Sequence, residues 1–117
     1  AMLIWPAISR SGAKEIDTSK AIELINYQDA LILDVRDDSE YESGHLPNSK
    51  HMPSEKMEER WVEITKYKDK PIVVIYKSGI RSSHASNVLQ KNGFKQMHNL
   101  IGGIDAWKRA SLPIVKR

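Results

Sequence analysis

Cysteine is absent from the 117 residues. That excludes disulfides, thiolate metal sites and a cysteine nucleophile together, and it leaves the redox compartment unreadable from cysteine usage. Internal repeats and low-complexity segments are also absent, so solenoid and linker-type chains are excluded. Acid is scarce in one part only. Residues 76–117 carry the single Asp105 against 8 Lys and Arg, a net of +7, whereas residues 1–75 carry 14 Asp and Glu against 10 Lys and Arg, a net of −4. The total of +3 hides this division. A basic half suits nucleic acid, an anionic membrane surface or a small anionic ligand. Nucleic acid is the weakest of these, because the clustered cations amount to Lys108-Arg109 and Lys116-Arg117, with no series of aromatics to stack bases.

What is present reads as one domain. A chain of 117 residues suffices for one hydrophobic core and not for two. The opening "AMLIWPAISRSG" is set apart as a terminal arm, residues 1–13. Ala1 before Met2 reads as an expression scar, and Leu3, Ile4, Trp5, Ala7 and Ile8 form an apolar patch far too short to span a bilayer. Two readings of it stay open. It is an arm that packs on the domain, or the end of a removed membrane helix whose tether lay upstream of Leu3. In the second case Arg10 and Lys14 mark the cytoplasmic side, and the domain sits in the cytoplasm at the inner membrane face.

From residue 14 short strands alternate with helices, the pattern of a parallel sheet covered on both faces. "KEI" is a first strand, and "DTSKAIELIN" a helix capped by Asp17 or Thr18 with Ala21, Leu24 and Ile25 on one face. "ALILDV" and "IVVIY" are continuous apolar runs of the kind buried in a sheet's centre. Asp37 to Ser43 reads as a polar turn or short helix closed by Gly44, and "SKHM" as a brief strand. A helix from Pro53 is expected to present Met57, Trp61 and Ile64 on one face and to break between Lys66 and Pro71. A further helix starts near Ser82 and ends at Gly93 in a left-handed cap. "KQMHNL" is the last strand, "GGIDAWKRA" a short helix and "LPIV" a tail. The expected fold is α/β and doubly wound, with about five parallel strands and helices on both faces.

Ligands of such sheets bind beyond the carboxyl ends of the strands, where Asp34 to Arg36 and Tyr76 to Arg81 should meet. Between Tyr76 and Ser82 the backbone turns tightly at Gly79, and the following helix aims its free N–H groups back into the turn, making an anion cradle. The candidate anion-binding residues are Lys77, Ser78, Gly79, Ile80, Arg81 and Ser82; Arg81 offers a planar fork of donors and Lys77 a point charge at the rim.

Three stretches strengthen this reading: "LDVRDDSEYESGHLPNSKHMP" at 33–53, "YKSGIRS" at 76–82 and "NLIGGIDAW" at 99–107. In that order and spacing they resemble the single-domain rhodanese family over about residues 14–117. The resemblance implies a loop of form C-x-x-G-x-R-S, whose cysteine takes the outer sulfur of thiosulfate, releases sulfite and passes sulfur to cyanide or a thiol. No cofactor is expected, and with no cysteine and no H-x-x-x-H spacing among His45, His51, His84 and His98 no metal site is expected either. Gly79, Arg81 and Ser82 match that loop, and Tyr76 stands at the cysteine position. A phenol, with an ordinary pKa of about 10, would have to carry sulfur through a labile O–S bond. Tyr76 is therefore read as an inactive occupant whose ring plugs the pocket and whose hydroxyl accepts loop N–H bonds. Arg36 and Glu40 match an arginine–acid pair beside the loop, Asp34 is expected to anchor the loop backbone, and His45 to fix a turn. His84 reads as a helix-surface residue. Gly102, Gly103 and Trp107 read as turn and packing residues.

Two functions follow. One is a rhodanese-like domain without sulfurtransferase activity, a module for a small oxyanion such as thiosulfate or sulfite, for regulation, or for an unknown protein partner. The other is a thiosulfate sulfurtransferase whose loop cysteine is replaced in this chain. Whether the chain is an enzyme stays open at this stage. A phosphatase, which would also need a loop cysteine, is a distant third.

Overall fold

The computed structural model describes residues 13–77 and 82–116, with Ser82 and Ser83 described through their backbone alone. Five strands, β1 (Lys14–Ile16), β2 (Leu31–Asp34), β3 (Lys50–His51), β4 (Pro71–Ile75) and β5 (Gln96–Leu100), form one sheet. Its order is β1-β5-β4-β2-β3, and every pairing is parallel. Among the described residues the α-helices are α1 (Thr18–Tyr27), α2 (Asp38–Ser43), α3 (Met57–Arg60), α4 (Ser82–Lys91) and α5 (Gly103–Arg109). The expected α/β fold, doubly wound around about five parallel strands, is the observed one.

Strand alternation divides the core. Leu31, Leu33, Ile72, Val74 and Met97 face one side, under Ala85, Val88 and Leu89 of α4 and Met57 of α3. Ile16, Ile32, Val73, Ile75 and Leu100 face the other, under Ala21 and Leu24 of α1 and Ile104 and Trp107 of α5. Because β2 and β4 are covered on both faces, all their residues are buried, and this is why both read as unbroken apolar runs. Pro71 opens β4 instead of ending the preceding helix, a position where its missing N–H costs the ladder nothing essential.

Caps follow the sequence closely. Asp17 caps α1 by accepting the Lys20 N–H at 2.9 Å. Asp37 accepts the Glu40 N–H at 2.9 Å while the Glu40 carboxylate accepts the Asp37 N–H at 3.2 Å, a complete capping box on α2. Gly93, at φ +98°, turns the chain out of α4. The single helix expected after Pro53 is corrected: it is a 3₁₀ turn (Ser54–Lys56), then α3, then a 3₁₀ segment (Trp61–Tyr67) broken at Ile64. The i+3 repeat of 3₁₀ structure lets Ile64 and Trp61 share a side, with Ile64 in the core and Trp61 edge-on to Phe94.

Residues 1–12 of the expected arm lie outside the described residues, while Ala13 is buried in the core. Among the described residues no helix is long and apolar enough to cross a membrane. The "LPIV" tail is tied down at several points. The Trp107 indole donates to the Pro113 carbonyl at 2.9 Å, and His45 and Val115 exchange backbone bonds of 2.9 and 2.8 Å.

Candidate functional site

β4 is the middle strand, and the first residue past it is Tyr76. β2 lies beside it, so Val35 and Arg36 emerge next to Tyr76 and Lys77 at the carboxyl edge. A crevice of about 380 Å³ opens there, lined by Val35, Arg36, Asp37, Glu40, Ser54, Glu55, Tyr76 and Lys77. Of the expected cradle, Ser78, Gly79, Ile80 and Arg81, together with the Ser82 side chain, lie outside the described residues. Lys77 is described, exposed at the rim.

Tyr76 is 7 % exposed and packs with the α3/α4 face of the core. Tyr76 is one of the residues that line the crevice. Burial foremost, and then the Glu15 carboxylate, push the phenol pKa above its ordinary value, against the backbone N–H of Gly102, which favours the phenolate. The hydroxyl thus answers to the turn after β5. That turn presses on the tyrosine from above. The Ile104 N–H donates to the Tyr76 carbonyl at 3.0 Å, and a Cβ on Gly103, whose φ is +55°, would collide with that carbonyl. Gly102-Gly103 is a turn because no side chain fits there.

The β2–α2 corner corrects one expectation. Arg36 was expected to pair with Glu40; the loop that Asp34 was expected to anchor lies outside the described residues. Asp34, wholly buried, accepts the Arg36 N–H at 3.0 Å and the guanidinium at 3.0 Å (Nε) and 2.8 Å (Nη2). A second bond from Nη2 reaches the Gly44 carbonyl at 2.7 Å. The physical reason is local: residues two apart on an extended chain share a side, and a carboxylate removed from water takes the nearest cation. Glu40 is then left to close the capping box and to stand 3.8 Å from the Lys77 ammonium.

α2 is clamped from below by three parallel rings. Tyr41 stacks on His45 at 3.8 Å and on His51 at 4.2 Å. His45 Nδ1 meets the Tyr41 carbonyl at 2.8 Å, and His51 Nε2 meets the Arg36 carbonyl at 2.8 Å, so each of those nitrogens carries its proton. His45 fixes a turn, as its "SGHLP" setting suggested. His84 is exposed on α4. No group of three or more His, Asp and Glu among the described residues is placed to hold a metal.

The described wall is acid-rich. Arg36 is committed to Asp34, and Asp37, Glu40 and Glu55 face Lys77. Ser54 and Glu55 were missed by sequence reasoning. They follow the two-residue strand β3, whose carboxyl end also faces the crevice, and the rule that ligands gather at such ends would have found them.

A family model described as "Rhodanese-like domain" matches residues 17–110. The chain belongs to the rhodanese-like family. It is 36% identical over 107 residues to the uncharacterised protein YibN of Escherichia coli (strain K12), covering 91% of this chain and 75% of that one. It is 37% identical over 95 residues to a thiosulfate sulfurtransferase, GlpE, of Coxiella burnetii (strain RSA 331), covering 81% of this chain and 87% of the relative. Among solved structures, a rhodanese-related protein from Thermoplasma volcanium superposes with a TM-score of 0.77 at 29% identity, covering 89% of this chain and 99% of that one. The rhodanese-like sheet accordingly brings Tyr76, Lys77 and the β2–α2 corner to one crevice, in a family with sulfurtransferase members.

Proposed function

We propose that Tyr76 occupies the position from which a sulfur-carrying cysteine works in the family, and that this rhodanese-like domain binds at its crevice without transferring sulfur. It serves as an oxyanion-binding module or as a regulatory, partner-binding one. The observation that carries this reading is Tyr76 itself, buried where β4 delivers its first loop residue, in a chain without cysteine. Its phenol, ordinarily protonated below about pH 10 and held more firmly so by burial, is protonated at neutral pH. A protonated phenol neither attacks the outer sulfur of thiosulfate nor holds sulfur in a lasting bond. An oxyanion at the crevice is held by the loop amides and Arg81, since the described wall contributes more carboxylates than free cations.

A second reading has its own support. The relatives named thiosulfate sulfurtransferase span most of the chain, and Gly79, Arg81 and Ser82 keep the loop pattern. On this reading the cradle is competent and only its nucleophile is replaced.

One pair of measurements separates them. Thiocyanate formation from thiosulfate and cyanide is expected to be absent in this chain and present in Tyr76→Cys if the cradle is competent. Turnover by the unaltered chain overturns the inactive reading. Calorimetric titration with thiosulfate, sulfite, sulfate and phosphate is expected to show binding of at least one, and none binding removes the oxyanion version in favour of a partner-binding role.

A further inference from the structure

On the face of the sheet that packs on α1 and α5, away from Tyr76, the midpoint of β5 is a histidine. His98 sits in register between Lys14 of β1 and Val73 of β4, with Leu100 two residues on along the same face. It is 8 % exposed, and neither ring nitrogen has a hydrogen-bond partner among the described residues. A buried polar atom left without a partner is uncommon and costs stability even when uncharged. A cavity of about 110 Å³ lies alongside, lined by Lys14, Lys95, Gln96, Met97 and His98, so solvent protons stand close to the ring.

The charges around it share one sign. Lys14 of β1 and Lys20 of α1 act on the imidazole, and with burial, the larger cause, they push its pKa below the ordinary value. Glu23 on α1 is engaged with Lys20 at 3.5 Å, and Lys95 with Asp69 at 3.3 Å. Asp105, Lys108 and Arg109 of α5 are exposed, and β4 contributes the neutral Val73. Among the described residues no carboxylate is bonded to the ring.

β1 is where strain from that proton would be relieved. It has three residues and one sheet neighbour, β5, and its pairing begins at Lys14 against His98. It is also joined to the candidate site. The Ile16 carbonyl accepts the Ile101 N–H at 2.8 Å; the next residue, Gly102, presents its N–H to the Tyr76 hydroxyl, and Glu15 acts on the same phenol.

We propose that β1 is a proton-released latch: with His98 neutral it lies against β5, and a proton on the imidazole frees Lys14–Ile16 and with it the turn that covers Tyr76. The sign follows from linkage. A folded state that holds His98 neutral is favoured above the open-state value of about 6.5, and that advantage is lost as pH falls through the lower folded value.

The test is amide hydrogen exchange on the full chain between pH 7.5 and 5, corrected for intrinsic exchange rates, alongside an NMR titration of the His98 ring. The expected result is an opening constant for Lys14–Ile16, Ile101 and Gly102 that rises up to about tenfold per pH unit below 6.5, while Leu31–Asp34 is unchanged. In His98→Leu the rise is expected to vanish. A His98 ring that titrates at or above the ordinary value in the wild-type chain overturns the proposal without recourse to any variant. So does an equal rise in His98→Leu. Opening of Lys14–Ile16 with Ile101 and Gly102 still protected overturns the link to the Tyr76 turn.

Discussion

Two buried cationic or titratable side chains, Arg36 and His98, stand near opposite edges of the same sheet. Arg36 has bonds to a carboxylate and to a backbone carbonyl, and α2, which follows it, has a capping box above and three stacked rings below. His98 is just as buried and has no partner among the described residues. The difference shows that burial alone does not make a polar residue a fixed point. One corner is held by bonds whose loss would be felt at any pH, whereas the other edge depends on a group staying uncharged.

Breaking the saturated corner should have the largest effect. Arg36→Met leaves Asp34 as a buried carboxylate without its cation, and is expected to cost about 3–5 kcal/mol in urea unfolding at neutral pH. If Arg36→Met were mild, the corner would be no firmer than the His98 edge. Next comes the turn that links that edge to Tyr76. Gly103→Ala places a methyl against the Tyr76 carbonyl at a left-handed φ, and a loss of roughly 2–4 kcal/mol is expected, with the Tyr76 ring signals displaced in NMR spectra. The smallest effect is on the alkaline side. Tyr76 has a folded pKa raised above its unfolded value of about 10, so its contribution is intact below that pH and fades as pH rises towards the folded value. Tyr76→Phe should therefore flatten the decline of the unfolding midpoint above about pH 10 and leave its neutral value nearly as it was.

Legibility in the sequence followed the range of the interaction. The apolar runs at Leu31 and Ile72, the α1 cap at Asp17 or Thr18 and the glycines at 93, 102 and 103 are set by local chemistry and were readable, whereas the Asp37 capping box was passed over as a polar turn or short helix. The crevice was readable through strand ends, since a parallel sheet sends Arg36 and Tyr76 to the same edge. Partner choice was not. Asp34, Arg36, Glu40 and Lys77 allow several pairings from spacing alone, and the choice falls to burial, which takes Asp34 out of water and so gives it Arg36. The broken helix around Ile64 was hidden for a related reason, because Met57, Trp61 and Ile64 satisfy an α-helical spacing and only their packing against the sheet and Phe94 requires the tighter turn.

The tail carries a practical consequence. The family match ends at residue 110, yet Pro113 receives the Trp107 indole, Ile114 lies against Gly44, and Val115 pairs with His45, the residue next to Gly44, whose carbonyl is Arg36's second acceptor. A domain trimmed to the family boundary would leave an indole N–H stranded and slacken the carbonyl that steadies Arg36. Chimeras and shortened versions of this domain should keep their junction beyond Val115.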